Sequence, residues 1–189
     1  MSDILTATPR TPDFSGNPQT SDPASYNARY TLSQLSPNLH TFVVTLTVKN
    51  SDKKSFVDFI LPAWRPGRYQ IQNYAASVQE FEAFSEKQLL AFEKTDKQTW
   101  RVATDGKAEV QVRYKYYAGN PIDAGNTYCG SEEMYFNGSN LFVYTDETRN
   151  SPALLTIDYP DDWKVASQLR PLGGKSFDAE TYDDLIDAP

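Results

Sequence analysis

Alternation constrains this chain most. In AEVQVRYKYY, Val110, Val112, Tyr114 and Tyr116 fall on one side and Gln111, Arg113 and Lys115 on the other. Successive side chains of a strand point to opposite faces, so a period of two fits a sheet and not a helix. LHTFVVTLTVK repeats the pattern. His40, Phe42, Val44, Leu46 and Val48 share one face, while Thr41, Val43, Thr45 and Thr47 share the other, which predicts a half-buried strand opened by His40. FVDFIL places Val57, Phe59 and Leu61 together, and SNLFVYT and ALLTIDY read as strands in the same way. Weaker strands are expected at 26–32, 78–84, 89–92 and 99–102. The clusters NSDKK, TDGK, AGNPIDAGN and NGSN supply turns between them. Strands at this spacing predict a mostly-β fold, an antiparallel β-sandwich, rather than βαβ units.

The apolar share, 39%, suffices for a proper core. Residues 1–24 hold four of the 12 prolines and no apolar period, so they read as a disordered tail. The β-sandwich is expected over 25–170, with a short helical turn after Tyr69. In PLGGKSFDAETYDDLIDAP the period changes, and 171–189 reads as a linker followed by a short acidic helical segment, with Ser176 or Asp178 as candidate N-cap. A domain rarely closes on a new element with nothing to pack against, so the natural chain is expected to continue.

Charge excludes some partners. The net charge of −7 repels phosphates, so neither nucleic acid nor an anionic membrane is an expected partner. No apolar run approaches the ~20 residues that cross a bilayer. The N-terminus lacks the basic and apolar regions of a secretory signal, and one cysteine, Cys129, allows no internal disulfide. These features predict a cytoplasmic protein.

ILPAWRPGRYQ is the stiffest corner in the chain. Pro62 ends a β-type run, Pro66 fixes φ, and Gly67 admits conformations that other residues avoid. The expected role is structural: Trp64 and Tyr69 plug the sandwich, and Trp64→Ala would cost about 3–5 kcal/mol. An aromatic ligand shelf is the alternative, and it requires exposed rings.

This corner also carries a resemblance. LPAWRPGRYQIQNYAASVQEFEA resembles the P-x-W-x-P-G-x-Y segment of the glycyl aminopeptidase family of zinc metallopeptidases (peptidase family M sixty-one). LHTFVVTLTV, EKTDKQTWRV with Trp100, VQVRYKYYA and YFNGSNLFVY resemble further family segments in the same order, and SFDAETYDDLIDAP resembles the family's entry into its catalytic domain, so the match runs from about Tyr26 to Pro189 and 171–189 is expected to be a linker and the start of that domain. The resemblance implies a saddle-like N-terminal β-domain ahead of a thermolysin-like catalytic domain. It also implies peptide substrates, and zinc held by an H-E-x-x-H helix in that second domain. This chain has one histidine, so it cannot hold that motif, and no cofactor is expected here. As given it is not expected to be catalytic. The expected partner is the catalytic domain of the same polypeptide.

The remaining candidates have plain readings. His40 is expected to be packed or hydrogen-bonded. Cys129 would need a nearby base to act as a nucleophile, and only His40 exists. Glu132–Glu133 and Asp161–Asp162 are sequence neighbours whose side chains diverge, so neither pair suits glycosidic acid–base work. Asn137-Gly138-Ser139 reads as a tight turn and is formally a glycosylation sequon. By the resemblance, the loop and strand around it would lean over the catalytic cleft, which makes Tyr128, Glu132, Tyr135, Phe136 and Asn137 candidate substrate-cleft residues. A stand-alone β-sandwich that binds carbohydrate or peptide through aromatics is the rival reading, since 13% of residues are aromatic.

Overall fold

The computed structural model describes residues 22–65, 67, 70–120 and 126–188. Strands dominate, at 45% against 12% helix, so the mostly-β expectation is met. The strands are β1 (Ala28–Ser36), β2 (Thr41–Lys49), β3 (Phe56–Ile60), β4 (Val78–Ser85), β5 (Gln88–Leu89), β6 (Phe92–Lys94), β7 (Thr99–Ala103), β8 (Glu109–Tyr117), β9 (Tyr128–Cys129), β10 (Met134–Tyr135), β11 (Ala153–Asp158), β12 (Arg170–Gly173) and β13 (Ser176–Ala179). Two short helices follow β10 and β13: α1 (Gly138–Leu141) and α2 (Tyr182–Asp187).

The main sheet has the order β12-β13-β11-β1-β2-β8-β4-β5, and a smaller one has the order β3-β7-β6. Both feed one apolar core. Phe81 of β4 joins them: its ring stacks on Trp100 of β7 at 5.1 Å and on Tyr114 of β8 at 6.0 Å. Strand β8 alternates as its sequence requires, with Val110, Val112, Tyr114 and Tyr116 buried. Strand β2 does not. It lies between β1 and β8 in the middle of the sheet, and Thr41, Val43 and Thr47 are buried on its second face as well. Neighbouring long side chains cover that face; Gln111, for one, donates to Thr47 Oγ1 at 3.1 Å.

The sheet is not wholly antiparallel. Strands β1 and β11 pair in parallel, with Ala28 opposite Ala153. A parallel pair needs a crossover between its strands. Here the chain between β1 and β11 builds the small sheet before it returns.

His40 precedes the strand it was expected to open. It takes a left-handed turn, φ 48°, after a single 3-10 turn at Pro37–Leu39, and β2 begins at Thr41. SNLFVYT is not a strand either. Asn137 accepts from Ser139 N at 3.2 Å and caps α1, so the expected tight turn is a helix start. The residues after it run extended but lack a sheet ladder on one side. Buried carbonyls without partners are costly, and three phenols supply them: Tyr114 donates to Leu141 O at 2.6 Å, Tyr182 to Phe142 O at 2.7 Å and Tyr30 to Val143 O at 2.9 Å. On the other side Ile60 and Tyr144 exchange backbone hydrogen bonds.

Burial holds the phenols of Tyr30, Tyr114 and Tyr182 well above the ordinary tyrosine range and pushes Tyr116 up to about 12. The fold needs the neutral, donating form. A raised folded-state value contributes stability that is complete below about pH 10, the unfolded phenol range, and is lost as pH rises beyond it. Absorbance titration is therefore expected to show these tyrosines ionising only as the chain unfolds. Ionisation of all 12 tyrosines near pH 10 in a folded chain would contradict the arrangement.

The C-terminal stretch differs from its sequence reading. Residues 176–179 form β13, which pairs with β11, because Phe177 fits the core. The helix begins later, with Thr181 as N-cap accepting from Asp184 N at 3.1 Å, rather than at Ser176 or Asp178. Asp178 is instead buried, where it accepts from Tyr26 at 2.7 Å and pairs with Arg170. Tyr182 and Leu185 of α2 are buried in the main core. Strands β12 and β13 thus extend one edge of the main sheet, and α2 packs on its core.

The Trp64 expectation also needs correction. Its ring is 48% exposed and does not plug the core, so the large truncation cost does not apply to it. Trp100 fills the core instead, at 3% exposure. Gly67 takes φ 78°, as its place in the corner requires, and Pro62 is half-buried. Pro66, Tyr69 and most of the expected tail lie outside the described residues.

Candidate functional site: an apolar groove beside the β9–β10 hairpin

Strands β9 and β10 form a hairpin with Tyr128 opposite Tyr135 and Cys129 opposite Met134. The turn closes through Gly130 N to Glu133 O at 3.0 Å. Glu132 and Glu133 sit exposed on it, solvated as expected.

Cys129 and His40, far apart in sequence, meet here. His40 Nδ1 lies 2.6 Å from Cys129 O. A carbonyl only accepts, so Nδ1 carries the proton and is committed to the backbone. The Cys129 thiol is fully buried, burial pushes its pKa up, and Gln34 donates to Sγ at 3.2 Å. A high-pKa, inaccessible thiol is a poor nucleophile. The contact is therefore structural: Gln34 also donates to Gly130 O at 2.8 Å, and the pair pins the hairpin to the main sheet.

Asn137 is engaged in capping α1. Beside the hairpin runs an apolar groove of about 110 Å³. Tyr135 and Phe136, Ile157 of β11, Trp163, Val165 and Ala188 line it. Phe136 makes edge contacts to Phe42 at 6.2 Å and Phe142 at 5.7 Å. Of the five candidate cleft residues, the groove gathers Tyr135 and Phe136 but not Tyr128, Glu132 or Asn137. Sequence reading missed Trp163 and Val165. Their signal was two large apolar side chains inside the mostly polar DDWKVASQ.

Among the described residues no three His, Cys, Asp or Glu side chains converge to hold a metal ion. Zinc of the peptidase kind does not fit this chain, whose one imidazole is bonded to a backbone carbonyl.

Comparison with known proteins decides the family. The Peptidase M61 N-terminal domain matches residues 29–189. The chain belongs to this family. No protein of curated function matches in sequence. Among solved structures, the aminopeptidase N family protein from Idiomarina loihiensis is similar over 85% of this chain, at TM-score 0.77 and 26% identity. This M61 N-terminal domain spans only 28% of that protein's length. An M1 zinc metallopeptidase from Deinococcus radiodurans, bound to a Tyr-Ser-Ala substrate, is more distant, at TM-score 0.40 and 14% identity over 80% of this chain and 37% of its own.

Proposed function

We propose that this chain is the non-catalytic β-domain of a zinc metallo-aminopeptidase, and that it packs on a zinc-bearing catalytic domain of the same polypeptide and narrows its substrate cleft. The groove carries this reading. Its lining brings Tyr135 and Phe136 together with Ala188 of the segment after α2, and Val165 in it is 41% exposed. Apolar surface of this kind favours a protein partner. A β wall set against a metal site works by exclusion, admitting a free peptide terminus and rejecting a folded chain. In this reading the zinc, its ligands and the general base all belong to the other domain.

The acidic charge keeps nucleic acid and anionic membranes out of the partner set. A reducing compartment such as the cytoplasm suits a lone buried thiol. No helix among the described residues is long and apolar enough to cross a membrane.

The purified 189-residue chain, supplied with zinc, is expected to leave aminoacyl arylamides intact. Turnover that a chelator abolishes would overturn the non-catalytic assignment.

A further inference from the structure

The corner that holds Trp64 opens on a second cleft, which the packing role does not use. It measures about 370 Å³ and lies between the segment after β3 and helix α2. Its floor is aromatic: Tyr144 and Tyr182 sit 4.6 Å apart, with Tyr182 buried. Trp64 forms a wall, and Asp183 and Asp187 stand exposed around it. Among the described residues the Trp64 ring has no aromatic or cationic neighbour, and Asp187 has no ion-pair partner.

The cleft already accommodates one cation. Arg149 Cζ lies 5.8 Å from the Tyr144 ring centroid, and its Nη2 reaches the Asp183 carboxylate at 3.4 and 3.5 Å. These are long bonds for a charged pair, and the arginine is exposed, so this occupant is loosely held. A guanidinium fits an aromatic face and a carboxylate at once, and tryptophan is the best such face. One cation against two carboxylates leaves the lining with a net negative charge.

We infer that this cleft binds a cationic group of a peptide, a guanidinium above all, seated on Trp64 with Asp187 as counter-charge. A neutral sugar would stack on the same indole, but it would make no use of two carboxylates around a site that already takes a guanidinium. Binding here requires no catalytic domain, so its failure would leave the packing role standing, and the reverse also holds.

The test is titration of the 189-residue chain with acetyl-Ala-Arg-amide and with its citrulline counterpart, followed by tryptophan fluorescence and calorimetry. The arginine peptide is expected to bind at least about tenfold tighter, because citrulline keeps the shape and loses the charge. Trp64→Ala and Asp187→Asn should each weaken binding by roughly threefold to tenfold. Arg149→Ala should strengthen it by removing the internal occupant. All three residues are exposed, and thermal melting verifies that each variant folds. Should Trp64→Ala melt early, Asp187→Asn decides. Equal affinity for citrulline, indifference to Asp187→Asn, preference for a neutral sugar or absence of saturable binding would each overturn the inference.

Discussion

Trp100→Ala is expected to destabilise the chain by about 3–5 kcal/mol, the usual cost of truncating a large core aromatic. Trp100 is 3% exposed, and it stacks nearly parallel to Phe81, which in turn stacks on Tyr114. These three rings join the small sheet to the large one, so removing the indole leaves a cavity at the contact between the sheets. Lys94 Nζ covers the ring at 4.4 Å and would lose its partner too. Trp64→Ala should cost less than about 1 kcal/mol, because exposed positions usually tolerate truncation. Urea unfolding of both variants measures the contrast. Equal losses, or a larger loss at Trp64, would mean that the corner braces the core after all.

Gly138→Ala is expected to cost about 1–3 kcal/mol, the range for overpacking a tight site. A Cβ at this position would lie 2.9 Å from Ile186 Cα and 2.9 Å from Leu185 O. Both are backbone atoms, so no rotamer change relieves the contact, and α2 must move. Helix α2 carries Tyr182, whose phenol holds the Phe142 carbonyl, and it leads to Ala188 in the groove lining. The damage should therefore concentrate there, with faster amide exchange across α2 than in β2 or β8. A variant of unchanged stability would show that α1 and α2 do not meet so closely.

The sheet was legible wherever one face meets solvent. Strand β8 is the clearest case, since its alternating charges and rings describe its own burial. Strand β2 was legible as a strand but not as a central one, because its second face is covered by neighbours such as Gln111. The segment after Asn137 was misread for a more basic reason. Its composition is strand-like, but its carbonyls are satisfied by Tyr30, Tyr114 and Tyr182, all remote in sequence, and no local pattern reports such partners. The acidic end was misread because helical spacing in YDDLID masked the strand just before it. At the candidate site, Tyr135 and Phe136 line the groove with Trp163 and Val165, whose apolar side chains in DDWKVASQ were a weak signal that no strand or helix period reinforced. The burial of Trp100 and the exposure of Trp64 show the limit in one pair: Trp100 sits in β7 and Trp64 just after β3, and only tertiary packing tells which ring is buried.

Hydrogen exchange can compare the 189-residue chain alone with a longer polypeptide in which it is joined to the proposed zinc-bearing domain. Amides at 134–136 and 163–169, which contribute to the groove lining, are expected to exchange at least about tenfold more slowly in the joined protein, as burial at an interface requires. Identical exchange at those amides in the two forms would contradict the proposed packing.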